Sequence, residues 1–244
     1  MLVLRSTLFN SFMAITAIII AIPALFLFPF SFRVRYAFIS QWAKMNIWAL
    51  GIICGLHYKI EGSENIPDSA VIVLSKHQST WETLALQKIF REQAWLLKKE
   101  LLRIPFFGWG LALTEPIAIN RDSRKEAMQQ LIKQGQERLD DNRCVVLFPE
   151  GTRIRAGKRG KYRQGGARLA ISTGYPIIPM AHNAGEFWAK GSFIINPGVI
   201  RVKLGTPIQP NGKNSSELTT EVEKWIEEQM QEITNDKLKP ITAI

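Results

Sequence analysis

The feature that most constrains the fold is a run of 26 residues without a charged side chain, Thr7–Phe32, near the start of the 244-residue chain. A helix needs about 20 apolar residues to cross the hydrocarbon core of a bilayer, so this run is long enough to span a membrane. It contains Pro23 and Pro29, which we expect to kink or end a helix near its C-terminal side. A cleaved signal peptide fits less well, because the run is too long and no small-x-small cleavage site follows it.

A second apolar stretch, Met45–His57, has only 13 residues, a length that suits an interfacial or re-entrant helix. The two stretches predict an N-terminal two-helix membrane anchor over residues 1–58. The alternative is a buried helical pair in a soluble core. Four basic residues flank the stretches: Arg5, Arg33, Arg35 and Lys44. Because these charges lie on several sides, the positive-inside rule does not fix an orientation.

From about Tyr58 the pattern changes to apolar runs of strand length separated by amphipathic stretches. The runs are Ala70–Leu74, Cys144–Phe148, Ile177–Ala181 and Val199–Leu204, and the clearest helical stretches are Arg124–Leu139 and Gln164–Ser172. This alternation predicts an α/β catalytic domain over residues 59–244, with a mostly parallel or mixed sheet flanked by helices. Near the end, apolar residues recur at helical spacing, and Thr220 with Glu223 is expected to form the capping box of that helix.

The formal net charge of +10 suits nucleic acid, an anionic bilayer or a phosphorylated small molecule. Residues 91–168 hold 17 Lys or Arg against 9 Asp or Glu, and the basic excess is greatest just after Glu150. The long uncharged segment and the acidic C-terminal helix argue against nucleic acid as the partner. Cys54 and Cys144 fall in apolar segments, so we expect free thiols in a reducing, cytosol-facing location rather than a disulfide framework.

The first candidate for chemistry is His77, which follows the predicted strand directly and precedes Glu82 by five residues. Histidine is the commonest general base, and a carboxylate can fix its tautomer and stabilise the imidazolium that forms. Positions five apart point away from each other on a regular helix. The two side chains can therefore meet only if His77 lies in the turn before the helix. Ser79 is a possible nucleophile, with hydrogen bonding or helix capping as the alternative.

Three further elements have the same form, an apolar run that ends in distinctive residues. Val146–Leu147 leads into Phe148-Pro149-Glu150-Gly151-Thr152-Arg153, Pro116–Ile119 delivers Arg121, and Pro176 and Pro179 bracket a strand expected at an edge or crevice. Glycine permits close approach of a ligand to the backbone, and arginine binds phosphate through two hydrogen bonds. No Gly-x-Ser-x-Gly elbow is present, and the three histidines lack the spacing of metal ligands.

In order and spacing, these four elements resemble the four motifs of the glycerolipid acyltransferase family, and within it the bacterial 1-acyl-sn-glycerol-3-phosphate acyltransferases. The resemblance covers about residues 60–210 and includes the Lys98–Leu101 and Ile104–Trp109 stretches. It implies transfer of a fatty acyl group from acyl-CoA or acyl carrier protein to lysophosphatidic acid, with no bound cofactor. It also implies an enzyme of the bacterial inner membrane whose active site faces the cytoplasm.

Carried over to this chain, the resemblance assigns His77 as general base and Glu82 as the acid that orients it. The residues implied in substrate binding are Arg121, Glu150, Gly151, Thr152, Arg153 and Lys161. The sequence departs from the family pattern at two positions. Glu82 stands where the family more often has Asp, and Ala118 replaces the usual Phe of the second motif. The alternatives are an acyltransferase for another lysophospholipid or lyso-aminolipid, and a membrane scaffold without activity.

Overall fold

A mixed β-sheet forms the centre of the protein. The computed structural model describes residues 1–104, 107–120 and 123–236, and within them seven strands form one sheet. The strands are β1 (Leu56–Glu61), β2 (Ile72–Ser75), β3 (Gln93–Lys98), β4 (Ile117–Ile119), β5 (Cys144–Leu147), β6 (Ile177–His182) and β7 (Gly198–Leu204). Their spatial order is β1-β7-β6-β2-β5-β3-β4, and the β6–β7 pair is antiparallel while the other pairs are parallel. The predicted α/β class with a mostly parallel or mixed sheet is confirmed.

Helices cover both faces of this sheet. They are α1 (Leu2–Leu25), α2 (Phe32–Ala49), α3 (Trp81–Ile89), α4 (Phe107–Ala112), α5 (Arg124–Asp140), α6 (Gly165–Thr173), α7 (Ala184–Phe187) and α8 (Ser215–Asp236). One apolar core lies on the face that carries α1, α2 and α3, and it includes Phe9, Ile47 and Trp81. The other lies under α5, α6 and α8, and it includes Leu131 and Ile226. Alternate residues of β2 and β5 enter the two cores, as the period of two in a strand requires.

Helix α1 is long and apolar enough to cross a bilayer, and no other helix among the described residues passes the same test. It starts before the predicted segment and ends two residues after Pro23. One stripe of the helix packs on the domain: the Phe9 ring meets Trp188 edge-on at 5.7 Å, and Ser6 Oγ accepts a hydrogen bond from the Ile195 N–H. The opposite stripe exposes large apolar side chains, Leu4, Leu8, Ile15, Ile18, Ile19 and Ile22.

The second predicted anchor stretch, Met45–His57, is not one helix. Its first residues end α2, a π-helical turn covers Leu50–Cys54, and β1 has begun at Leu56. Gly55 adopts the left-handed conformation with φ of 66°, and its carbonyl accepts the Gly198 N–H at the start of the β1–β7 pairing. Pairing with β7 therefore takes the last residues out of the helix. Cys54 and Cys144 are both buried free thiols.

Two further expectations need correction. Strand β6, which contains Pro179, was expected at an edge or crevice; it lies inside the sheet between β7 and β2, so the edge position is wrong. The proline is tolerated because the ladder with β7 begins only at Met180, so its missing N–H interrupts neither neighbour. The capping box of α8 is formed by Asn214 and Glu217: Asn214 Oδ1 accepts the Glu217 N–H, and Glu217 Oε2 accepts the Asn214 N–H. Thr220 lies inside the helix.

Candidate active site

His77 lies in the turn between β2 and α3, at the carboxyl end of the parallel strands. Glu82 lies in the first helical turn of α3, and its side chain holds the shape of the loop that contains His77. Its Oε1 accepts the Gln78 and Ser79 N–H groups at 2.8 Å, and its Oε2 accepts the Ser79 N–H at 3.0 Å. A carboxylate here binds the free N–H groups and the positive end of the helix dipole. Ser79 Oγ accepts the Trp81 N–H at 3.1 Å, which is a capping contact.

The same carboxylate holds the imidazole of His77. Nδ1 of His77 lies 2.8 Å from Glu82 Oε1, so the predicted meeting of these two side chains is confirmed. Glu82 is fully buried; burial alone would raise its pKa, but the hydrogen bond from His77 and the surrounding donors outweigh this and lower it. An ionised carboxylate only accepts hydrogen bonds, so Nδ1 carries the proton. Nε2 is left with a free lone pair, as a general base requires.

Phe148 packs against one face of the His77 imidazole. Its ring stacks on that of His77 with centroids 3.8 Å apart and planes 14° apart, and Trp95 packs against Phe148 at 5.8 Å. The aromatic face also favours a cation, so it would stabilise the imidazolium of a His77 that takes a proton. Phe148 follows β5, the strand that pairs with β2, and this pairing places the ring beside the turn that carries His77.

The segment after Phe148 is tied to the same turn. Both oxygens of Glu150 point inward: Oε1 lies 2.7 Å from Lys76 Nζ, and Oε2 accepts the His77 N–H at 3.0 Å. The His77 carbonyl in turn accepts the Ile154 N–H at 2.8 Å. Gly151 has φ of 68°, and a Cβ there would lie 3.0 Å from Arg163 Nε, so the turn requires glycine. Both carboxylate oxygens of Glu150 are thus bound to groups of the protein itself.

Three of the predicted binding residues lie in the segment that follows Glu150. Arg153 is partly buried, and its Nε is enclosed without a hydrogen-bond partner among the residues that the structure describes. A buried donor of this kind costs free energy until a ligand satisfies it. Thr152 is exposed, and its Oγ1 accepts a hydrogen bond from Lys190 Nζ at 3.3 Å; the same ammonium group also contacts the Arg153 carbonyl. Lys161 is exposed in the loop that follows.

Not every predicted residue can be placed, and several others were not predicted. Arg121 lies outside the described residues. The sequence reasoning missed Lys76, Lys190, His182 and Glu227. His182 is fully buried, and its Nε2 lies 2.9 Å from the Lys76 carbonyl, while Nδ1 accepts the Ala184 N–H at 3.3 Å. Burial lowers the pKa of His182, so the ring is neutral and Nε2 carries the donated hydrogen. The signal that could have identified His182 is its position at the end of β6, beside the end of β2.

The chain is similar to known proteins in sequence and in fold. The sequence model of the Acyltransferase family matches residues 57–183. A 1-acyl-sn-glycerol-3-phosphate acyltransferase of Pseudomonas aeruginosa is 42% identical over 95% of this chain and 92% of its own length, and one of Saccharomyces cerevisiae is 29% identical over 76% and 63%. The crystal structure of the 1-acyl-sn-glycerophosphate acyltransferase PlsC from Thermotoga maritima superposes with a TM-score of 0.76 at 25% identity, covering 95% of both chains. The chain therefore belongs to the acyltransferase family.

Proposed function

We propose that the protein transfers a fatty acyl group from a thioester to the sn-2 hydroxyl of 1-acyl-sn-glycerol 3-phosphate, giving phosphatidic acid. The observation that carries this proposal is the His77–Glu82 pair, with Nε2 free and the Gly151–Arg153 segment beside it. The names of the relatives from Pseudomonas aeruginosa and Saccharomyces cerevisiae favour the same acceptor.

The reaction needs only proton transfer and attack. His77 Nε2 removes the proton of the acceptor hydroxyl as its oxygen attacks the thioester carbonyl, and Glu82 stabilises the imidazolium that forms. The tetrahedral intermediate then collapses and expels the thiolate, which takes the proton from the imidazolium. One ester and one thiol are produced, and His77 returns to its starting state. The thioester is already activated, so the protein needs no covalent intermediate.

We assign binding of the acceptor phosphate to basic residues in and after the Gly151–Arg153 segment, together with Arg121. Arg153 supplies a donor that has no partner among the described residues, Lys161 adds positive charge, and Gly151 and Thr152 flank Arg153 in the chain. The resemblance to the family also assigns Arg121 to phosphate binding. Binding the phosphate holds the glycerol hydroxyl near Nε2 and converts an encounter into an oriented reaction. Arg153→Ala should therefore raise the KM for lysophosphatidic acid by about tenfold or more, given about 1.5–3 kcal/mol for a hydrogen bond to a charged group. An unchanged KM would rule out this phosphate site.

The exposed apolar stripe of α1 supports a position at a membrane, where both the lysolipid and its product reside. We propose the cytoplasmic face of a bacterial inner membrane, because acyl-CoA and acyl carrier protein are cytosolic donors. The excess of Lys and Arg favours an anionic surface by about 1 kcal/mol for each residue near it. No nucleic acid is part of this proposal.

Acyl transfer by the purified protein in detergent tests the function. Either acyl-CoA or acyl carrier protein thioester would be offered as donor, with lysophosphatidic acid or lysophosphatidylcholine as acceptor. We expect phosphatidic acid from the wild type and from His57→Ala, in which an exposed histidine of β1 is removed, and none from His77→Ala. Activity of His77→Ala near that of wild type would refute the mechanism. A preference for another lysolipid would keep the mechanism and change the acceptor.

A further inference from the structure

A buried ion cluster joins the catalytic turn to the C-terminal helix. The side chain of Lys76 is 1% exposed, and its Nζ lies 2.7 Å from Glu150 Oε1 and 2.8 Å from Glu227 Oε1. Tyr162 donates its hydroxyl hydrogen to the same Glu227 oxygen at 2.9 Å. Burial, and then the nearby carboxylates, raises the pKa of Tyr162, so it remains a donor. Glu227 belongs to α8, beyond residues 57–183 that match the family.

From these contacts we infer that Glu227 and Lys76 are positioning residues for the catalytic base. Glu150 makes the connection, because its two oxygens serve different groups: one binds the Lys76 ammonium and the other accepts the His77 N–H. The ammonium is held between two carboxylates, so Glu227 controls where Lys76 lies and hence how Glu150 is oriented. The inference rests on the proposed role of His77 as the base.

The remaining backbone contacts of this turn show why the side-chain cluster matters. The Lys76 N–H donates to the Met180 carbonyl at 2.9 Å, the Lys76 carbonyl accepts from His182, and the His77 carbonyl accepts from Ile154. Three of the four backbone groups of residues 76 and 77 are thus bound to β6 and to the segment after β5. The fourth, the His77 N–H, depends on Glu150. A change in the position of Glu150 therefore releases the backbone N–H of His77, the residue that carries the imidazole.

Glu227 is the member of the cluster that can be removed without leaving an unpaired buried charge. Without it, Lys76 and Glu150 still form a neutral pair, whereas loss of Lys76 would leave two carboxylates facing each other. Glu227 is also the least buried of the three, with 17% of its side chain exposed. Substitution of Glu227 therefore disturbs the position of Lys76 and Glu150 with the smallest effect on folding.

Kinetics and hydrogen exchange of Glu227→Ala test the inference, with Glu223→Ala as the matched control. Glu223 lies one turn earlier on α8 and binds Arg159 of the same loop, but that arginine is exposed and contacts neither Lys76 nor Glu150. We expect Glu227→Ala to lower kcat about tenfold or more while the KM for the acceptor stays within about twofold, since small misplacements of a catalytic group are costly. Glu223→Ala should keep kcat within about twofold.

Amide exchange gives a readout that does not depend on the reaction. In Glu227→Ala, exchange of residues 76–80 should be about tenfold faster, while α5 and β1 exchange as in wild type. Unchanged kcat and exchange would overturn the inference, and so would acceleration spread through α8 and β6, which would indicate a role in stability alone. If Glu227→Ala fails to fold, Glu227→Gln keeps the side-chain shape and carries the same test. If the wild type acylates no lysolipid, the proposed function fails, and exchange alone still decides the positioning role.

Discussion

Replacing Glu82 by Gln removes the charge behind His77, the proposed catalytic base, while keeping the size of the side chain. The amide oxygen can still accept the hydrogen of His77 Nδ1, which lies 2.8 Å from Oε1 in the wild type. What is lost is the attraction between the carboxylate and the imidazolium that forms during transfer. Two unit charges about 4 Å apart interact by about 4 kcal/mol at an effective dielectric constant of about 20. We therefore expect kcat to fall by about 10³-fold.

A colorimetric thiol assay of the released CoA or acyl carrier protein measures this loss directly. Glu82→Asp is the matched control, because it keeps the charge and shortens the side chain by one C–C bond. We expect its kcat to lie between those of wild type and Glu82→Gln. A Glu82→Gln enzyme that keeps more than about a tenth of wild-type kcat would show that the charge is not needed, and the electrostatic reasoning would then be wrong.

Three further outcomes concern folding and membrane contact. A Cβ at Gly166 would lie 2.5 Å from Leu74 Cδ2, so Gly166→Ala should lower the free energy of unfolding by about 1–3 kcal/mol. Gly165→Ala is the control, because a Cβ there would lie 3.5 Å from its nearest neighbour and should not lower it. Equal melting temperatures of the two variants would contradict this prediction. Burial lowers the pKa of His182 in the folded protein below its value in the unfolded chain, which is near 6.5. As the pH falls below that unfolded value, the free energy of unfolding should decrease by up to about 1.4 kcal/mol per pH unit. Melts at about pH 7.5 and 5.5 should show a drop that is smaller in His182→Asn, and an equal drop would refute the assignment. Ile18→Lys on the exposed stripe of α1 should weaken co-sedimentation with lipid vesicles, and unchanged sedimentation would exclude this stripe as the lipid contact.

The sequence predicted the parts of the site that depend on neighbouring residues. His77 and Glu82 are five positions apart, and the strand–turn–helix pattern around them was enough to bring them together. Strands β2, β5 and β6 were visible as apolar runs because they are buried on both faces. Strand β7 was visible because its apolar residues Ile200, Val202 and Leu204 alternate with partly exposed ones. Strand β1 was missed because most of its side chains are partly exposed, and β4, which has only three residues, was visible only as the short apolar run Pro116–Ile119.

Contacts between distant parts of the chain could not be predicted in this way. Lys76 and Glu227 are separated by 151 positions, and on the acidic helix α8 nothing local distinguishes Glu227 from the exposed Glu228. The order of the strands was hidden for the same reason, since β1 pairs with β7 at the other end of the sequence. The inward direction of Glu150 likewise follows from where Lys76 lies, and that is a property of the assembled sheet.

The packing of α1 on the domain determines how the enzyme can meet a lipid. Phe9 and Ser6 fix the helix against Trp188 and the Ile195 N–H, so no flexible linker separates α1 from the domain that carries His77. A domain on a long tether would sample many heights above a bilayer, and a lysolipid would have to leave its leaflet to reach it. In a bilayer that takes up the exposed stripe of α1, this domain has one height and one tilt. A lipid acceptor then arrives, and the lipid product departs, by lateral diffusion within a single leaflet.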